Sequence, residues 1–573
     1  MKTKNTILIL LFVLLTFFAN AQGKKKIRNV IMMIPDGTST SVLSMSRWYN
    51  SGPVLKWLSL DPYVCGLVKT HSSNAPIGDS APTSSWYATG YASQTGFIAT
   101  YPPQDEGNDL VKVDKNKAYQ PLMTVLEAAK LAGKRTGLVF TCQFPHATPA
   151  DFSAHSRDRN AYYMIAEQMI HNSIDVLFGG GTSFINSENR AYLAKNGYDT
   201  LFTDEKSVSF ENGDDYKRFK QLSGKKTWAL FSPIEVPNDI DRNPNQIPSL
   251  EEMTQKALEL LSKDNKQGFF MMVEGSKVDW SAHNNDPIGV ITEFLAFDKA
   301  VGAAIKFAKE KEKEGIETII VICPDHGNSG ISMGSRLSNS GYDKLSYSKL
   351  YGPLKQFKLT ADGIAKEMVT PLYANNAFKA DSVFLTSAFR KGDPSIVLTT
   401  IEVKSLQEEF TALNGKPERV GNLVKPIARI ITSRTYVGFT TNGHTGEDVF
   451  LAVYPSGTSL HGVVGSDDIN RFFCNQLAVG GVPINLNDST SRYFSRHTEV
   501  LKGYDFKISG FDKTLKTGAV LEARKGDVII TIPANKNELF INGVRKVLKS
   551  VVVYDDINNV FYLPKTIIKD YKI

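Results

Sequence analysis

Short apolar runs recur along the first 330 residues, and each stops at a small polar or glycine cluster. Val30 to Ile34 leads into Pro35-Asp36-Gly37. Residues 136–140 lead into Cys142 and then His146-Ala147-Thr148. Residues 175–178 lead into Gly179-Gly180-Gly181, residues 269–273 into Glu274, and residues 318–322 into Asp325-His326. Continuous runs of this kind suit strands buried on both faces. Between them, apolar positions return with helical spacing over 122–131, 161–171, 250–263 and 291–311. This alternation predicts a three-layer α/β/α sandwich around a mostly parallel central sheet. Ligands of such sheets sit beyond the carboxyl ends of the strands. Asp36, His146, Thr148, Glu274, Asp325 and His326 occupy those ends, so they are expected to converge although they lie far apart in sequence.

The pattern weakens over about 331–439, where Gly, Ser, Lys and Tyr become frequent, and this segment reads as an insertion decorating the core. After about residue 500, short β-rich stretches at 506–509, 528–532, 539–543, 550–554 and 559–563 are separated by turn residues. They predict a small β-rich module over 500–573, read as a packing appendage in preference to a binding module.

The N-terminus changes the picture of location. Lys2 and Lys4 precede an apolar run from Ile7 to Phe18, followed by Ala19-Asn20-Ala21. A charged start, a short apolar middle and a small-x-small site make a secretory signal peptide over 1–21. The run is too short for a comfortable membrane span. A periplasmic or secreted protein without a membrane anchor is therefore expected, its catalytic domain spanning 22–490. With 42% hydrophobic and 22% charged residues among 573, a sizeable core is available. A net charge of +7 on that length does not point to a nucleic-acid partner. The four cysteines, Cys65, Cys142, Cys323 and Cys474, permit disulfides in an exported chain. Cys142 and Cys323 end apolar runs, where a thiol behaves as a small hydrophobe, so no disulfide framework is expected.

Four segments carry candidate chemistry. In GDSAPTSSWYATG, residues 78–90, Ser80 precedes a helix-like run. Serine is a favoured N-cap, and Pro82 fits a first helical turn. The same free N–H groups also favour a phosphate. In VEGSKVDWSAHNND, Asp279 and His283 stand four residues apart and share one helix face, half of a divalent-metal site or a plain surface ion pair. CPDHG supplies Asp325 and His326, and TNGHTGED supplies His444 in a glycine-flanked loop; each can also be an ordinary turn or surface position. Of the nine histidines, His146, His283, His326 and His444 lie in such settings.

Taken in order, Asp36-Gly37, Asp79-Ser80-Ala81, His146-Ala147-Thr148-Pro149-Ala150, Arg159, the 175–181 run, Val273-Glu274-Gly275, Asp279, His283, Asp325-His326-Gly327 and Gly443-His444-Thr445-Gly446 resemble the alkaline phosphatase family. The resemblance spans roughly residues 28–485 apart from the insertion. It implies a metal-dependent phosphate monoester hydrolase in which Ser80 forms a covalent phosphoserine. Asp279, His283 and His444 would hold one zinc ion. Asp36, Asp325 and His326 would hold a second, which also contacts Ser80. Asp36, Thr148 and Glu274 would hold magnesium. Arg159, chosen over Arg157 by its spacing from His146, would clamp the phosphate.

These roles agree with the chemistry. Zinc takes nitrogen and carboxylate ligands, whereas magnesium prefers oxygen. Two metals about 4 Å apart stabilise both the attacking and the leaving oxygen. Arginine offers a planar fork to two phosphate oxygens. His146 and Trp280 stand where family members vary, with Asp at the first position or Lys or His at the second in others. This pair resembles one bacterial subgroup and leaves the third ion open between magnesium, zinc and cobalt. The family is often dimeric, which leaves a homodimer open.

Three rival functions differ from this one at particular residues. Phosphodiesterases of the same superfamily usually lack the third metal site and the arginine, and often use threonine. A sulfatase needs Cys/Ser-x-Pro-x-Arg, and Ser80-Ala81-Pro82-Thr83-Ser84 lacks the arginine. A secreted metal- or phosphate-binding protein would need the ligands without the nucleophile.

Overall fold

The computed structural model describes residues 28–477 except 53, residues 493–565, and residues 567–571. The expected signal peptide lies outside them. Ten strands form the central sheet: β1 (Arg28–Pro35), β2 (Val64–Lys69), β3 (Arg135–Gln143), β4 (Val176–Gly180), β5 (Asp199–Phe202), β6 (Thr227–Leu230), β7 (Phe269–Gly275), β8 (Glu317–Ile322), β9 (Val449–Tyr454) and β10 (Gly462–Gly465). Their order is β10-β2-β9-β8-β1-β7-β3-β4-β6-β5. β9 runs antiparallel to both neighbours, and the remaining pairings are parallel.

Each apolar run of the central strands is two interleaved sets, because side chains alternate across a strand. Ile31 and Met33 of β1 join one core with the helices Thr40–Asn50, Leu250–Ser262 and Pro287–Lys313. Val30, Met32 and Ile34 join the other, with Ser80–Thr89, Val125–Leu131, Tyr162–His171 and Ser466–Gln476. Helices on both faces explain why no polar alternation marks these strands. Each fully buried Phe or Met contributes about 1.5–3 kcal/mol. This is the three-layer sandwich that the sequence predicts.

β8, β1, β7 and β3 are adjacent, and their registers bring Ile34 beside Glu274 and Met33 beside Ile322. The polar residues that follow these strands therefore leave the sheet at one edge. The helix of Asp279 and His283 (Lys277–His283) follows β7, and the short helix of Thr148 (Ala147–Asp151) follows β3.

Residues 331–439 are more regular than their composition suggests. They hold the helices Tyr347–Gln356, Ala361–Ala374, Ser382–Gly392, Thr400–Ala412 and Gly421–Thr432, whose buried side chains continue the first core. Near the C-terminus, Asp505–Ser509, Val520–Lys525, Val528–Pro533, Glu538–Ile541 and Val544–Val547 form an antiparallel meander. A three-stranded sheet of Phe494–Arg496, Val560–Pro564 and Val553–Asp555 joins it around a third, smaller core. Cys65, Cys142 and Cys323 are free thiols. Among the described residues no helix is long and apolar enough to cross a membrane.

Candidate active site

The helix Ser80–Thr89 is buried along its whole length. Its N-cap is Asp79, whose carboxylate accepts from the Ala81 N–H at 2.9 Å. The expectation that Ser80 caps this helix is thus corrected. Asp79 satisfies the free donor, and the Ser80 hydroxyl is released to face the strand ends. Ser80 Oγ lies 3.5 Å from Asp36 Oδ1 and 3.3 Å from His326 Nε2. Two bonds fix the helix there. Tyr87 donates to the Pro324 carbonyl at 2.7 Å, and Ser85 donates to Asp151 at 2.6 Å, tying it to the approach to Asp325 and to the Thr148 helix.

His326 Nδ1 sits 3.0 Å from the Gly327 carbonyl, which directs Nε2 toward Ser80, Asp36 and Asp325. Both carboxylates stand 3.5 Å from it. His283 is oriented the same way: Nδ1 is 2.8 Å from the Asn442 carbonyl, and Nε2 is 3.1 Å from His444 Nε2. Asp279 completes this group, 3.4 Å from His283 and 3.8 Å from His444. A ring whose other nitrogen donates to a carbonyl is the usual arrangement of a metal-binding histidine. The His326 and His444 ring centroids are 4.0 Å apart, so the two groups adjoin.

Gly37 is needed for this approach. Its φ is +59°, and a Cβ there would stand 2.2 Å from Asp279 Oδ1. The Asp36-Gly37 pair is therefore a close-packing requirement as well as a turn.

Four carboxylates, Asp36, Glu274, Asp279 and Asp325, are buried together. Burial, then the charges of Asp325, Asp279 and Glu274, pushes Asp36 well above the carboxylate range. Burial and Asp325 push Glu274 up to about 8. Burial also raises Asp325. Burial pushes Asp279 the same way, but His283, His326 and His444 outweigh it and hold Asp279 low. Burial and the neighbouring His326 push His444 down to about 3.

Such a cluster fits divalent cations. Asp36 Oδ2, Asp325 Oδ2, Glu274 Oε1 and Thr148 Oγ1 are buried without a hydrogen-bond partner among the described residues, an arrangement that is costly unless something satisfies them. Asp279, His326 and His444 offer ligand atoms within 4.8 Å of one another, as do Asp36, Asp325 and His326, and Cys142, His146 and Glu274. The first two sets mix nitrogen and carboxylate; Glu274 and Thr148 add oxygen donors.

Arg159 stands beside the start of the Ser80 helix. Its Nη1 is 3.4 Å from Asp79 Oδ2, and its Nη2 is 3.2 Å from His146 Nε2. Arginine only donates, so His146 Nε2 accepts and its proton resides on Nδ1. Burial, then the Arg159 charge, lowers His146 to about 3 and keeps it neutral. Trp280 meets the His146 ring edge to face at 5.6 Å. Arg157 points elsewhere, into a two-bond ion pair with Asp556 at 2.9 and 3.1 Å. Asp158 binds Lys516 at 2.8 Å. The C-terminal module thus grips the two residues before Arg159.

The structure brings together Ser80, Asp36, Glu274, Asp279, His283, Asp325, His326 and His444, with Arg159, His146 and Trp280 beside them. Thr148 is buried on the adjoining short helix. Sequence reasoning missed three supporting residues. Asn328 donates to Asp279 Oδ1 at 2.6 Å, and its only sequence signal is its place just after Asp325-His326-Gly327. Asp79 both caps the Ser80 helix and pairs with Arg159. Cys142, read as a small hydrophobe, lies 3.5 Å from Glu274 Oε2.

Comparison with known proteins identifies a family. The alkaline phosphatase family model matches residues 27–479. Alkaline phosphatase 3 of Bacillus subtilis (strain 168) is 33% identical over 470 residues, 79% of this chain and 90% of that protein. The repressible alkaline phosphatase of Saccharomyces cerevisiae (strain ATCC 204508 / S288c) is 28% identical over 524 residues, 84% of this chain and 87% of that one. Among solved structures, a cold-active alkaline phosphatase from a psychrophilic Shewanella sp. is similar with a TM-score of 0.63 and 26% identity, covering 78% of this chain and 100% of its own. The chain belongs to the alkaline phosphatase family and, with it, to the metal-dependent phosphatases.

Proposed function

We propose that this chain hydrolyses phosphate monoesters through a phosphoserine at Ser80. The observation that carries the reading is the position of Ser80 Oγ, at a helix N-terminus, within 3.5 Å of Asp36 and His326, with Arg159 held beside it by Asp79 and His146.

Ser80 Oγ attacks phosphorus in line, the ester P–O bond breaks, and the alcohol departs. Water then cleaves the phosphoserine, returning the hydroxyl and releasing inorganic phosphate. Arg159 presents its planar fork to two phosphate oxygens. Asp79 and His146 hold that fork. His146, neutral and already accepting from Arg159, positions the guanidinium without competing for the anion.

Asp279, His283 and His444 would hold one zinc ion, and Asp36, Asp325 and His326 a second. Asp36, Thr148 and Glu274 would hold magnesium. When bound, these cations supply Lewis-acid stabilisation of the attacking and leaving oxygens and lower the pKa of a bound hydroxyl or water. The oxygen donors of Asp36, Thr148 and Glu274 favour magnesium at the third site. The N-terminal segment directs export to the periplasm or medium, where small phosphate monoesters are the substrates.

Hydrolysis of p-nitrophenyl phosphate beside bis(p-nitrophenyl) phosphate tests the reading, at alkaline pH with zinc and magnesium and then with chelator. The monoester is expected to be strongly preferred, chelation to abolish turnover, and Ser80→Ala to lower kcat by about 10³-fold or more. A diester preference would instead assign the site to the phosphodiesterases.

A further inference from the structure

The substrate's two halves meet different surroundings. The phosphoryl group is placed by Ser80 and Arg159. In-line attack sends the leaving alcohol away from Ser80, toward the flank where His326 gives way to His444 and then His283. A cavity of about 380 Å³ opens on that flank, with His283 in its wall. Asn442, whose carbonyl orients His283, lines it too. Its far wall is the last helix of the insertion, Gly421–Thr432, which contributes Lys425, Arg429 and Thr432.

Lys425 and Arg429 are one helical turn apart and share a face. The opposite face, Leu423, Val424, Ile427, Ala428, Ile430 and Ile431, is buried. Amphipathic folding alone explains why both cations point outward, and the helix dipole favours Arg429 in the last turn. Neither explains why both line the cavity that His283 borders. Neither Lys425 nor Arg429 has an ion pair among the described residues; Lys366, Lys391 and Arg434 of the insertion do have one, whereas Lys416 and Arg419, which do not line this cavity, have none. Two like charges at this spacing repel. Thr432 donates to the Asn285 carbonyl at 3.0 Å, which fixes this helix to the loop just beyond His283.

We propose that Lys425 and Arg429 form a subsite for a second phosphate carried on the leaving half of the substrate. The proposal rests on the phosphomonoesterase reading. The substrate class it selects is the bisphosphate whose alcohol remains phosphorylated after the first ester is cut.

The test compares glucose 1,6-bisphosphate with glucose 6-phosphate on the zinc- and magnesium-loaded protein, at low and high salt. The wild type is expected to prefer the bisphosphate, and the preference to shrink as salt rises. Lys425→Ala combined with Arg429→Ala should lower kcat/KM for the bisphosphate about tenfold, mainly through KM, and for the monophosphate by less than about twofold. Lys425→Arg should retain the preference. Equal losses on both substrates, or no preference in the wild type, would overturn the proposal. Calorimetric titration of glucose 1,6-bisphosphate into Ser80→Ala, with and without the two alanines, reads the subsite without turnover, and equal affinities would also overturn it. Failure of the wild type to release phosphate from either substrate overturns the phosphomonoesterase reading instead.

Discussion

Two appended regions approach the site, one next to Arg159 and one next to His283, and they use charge differently. On the Arg159 side, the C-terminal module meets the catalytic layer through matched pairs: Arg157 with Asp556, Asp158 with Lys516, Glu167 with Lys536. Hydrogen bonds add to these, from Ser550 to the Glu127 carboxylate at 3.0 Å and from Gln168 to Asn535 at 3.1 Å. On the His283 side, the insertion presents Lys425 and Arg429 to the cavity with no ion pair among the described residues. Paired charges at a junction hold geometry. Unpaired like charges over a cavity await an anion. The module therefore reads as a brace for the phosphate clamp, and the insertion as a wall that selects the leaving group.

The strongest way to sharpen this contrast is at the clamp itself. Arg159→Ala is expected to lower kcat/KM on p-nitrophenyl phosphate by about 10²- to 10³-fold, the cost of losing one preorganised donor group to the reacting phosphate. Arg159→Lys should recover little, because a point charge does not reproduce the fork. Steady-state kinetics with both variants decides this. If lysine restores full activity, Arg159 supplies only charge, and precise bracing of its segment has no purpose.

The brace is tested next. Arg157 and Asp556 are about 30% exposed (32% and 27%), so solvent screens their attraction. A double-mutant cycle of Arg157→Ala and Asp556→Ala, followed by urea unfolding, is expected to show a coupling of about 0.5–1 kcal/mol. Each single variant should also raise KM for p-nitrophenyl phosphate by about two- to fivefold, through a loosened Arg159. Coupling in stability with unchanged KM would make the contact a fastening with no link to the clamp.

Much of this arrangement is legible in sequence because burial on both faces writes the strands of the central sheet as unbroken apolar runs, and their ends mark where polar side chains emerge. Asp36, Glu274 and Asp325 were found that way. The insertion is illegible for a definable reason. Pro353, Pro371 and Pro426 sit inside its helices, and proline in a pattern reads as a break. Helices held by tertiary packing tolerate what their local propensity opposes. In the C-terminal module, Val520–Lys525 escaped notice because it carries Glu522, Arg524 and Lys525 on its exposed positions. The identity of the cap at Ser80 was lost for a subtler reason. Asp79 and Ser80 are both good caps, and only the backbone shows that Asp79 takes that position and leaves Ser80 for chemistry. Asn328 reaches Asp279 and Asp79 reaches Arg159, partners distant in sequence that no local pattern records.

The smallest expected effect separates the insertion from the catalytic layer. Arg434 donates to both oxygens of Glu402, at 2.6 and 2.7 Å, and Glu402 also caps its own helix through the Thr399 N–H at 2.8 Å. The Arg434 bonds lead in holding the Glu402 carboxyl at about 2. A carboxyl whose folded pKa lies below its unfolded value stabilises the fold above that unfolded value, near 4.5, and the stabilisation is lost as pH falls toward the folded value. Both side chains remain partly open to water, which limits the contribution to about 0.5–1 kcal/mol. Thermal unfolding of the wild type and Glu402→Gln should therefore differ at pH 6 and converge as pH drops from about 4.5 toward about 2. Because the pair joins two parts of the insertion and neither partner reaches the Ser80 site, hydrolysis of p-nitrophenyl phosphate should hold in Glu402→Gln while the bisphosphate preference weakens. Loss of both activities together would mean that the insertion supports the metal ligands directly, and the distinction between a bracing region and a selecting region would fail.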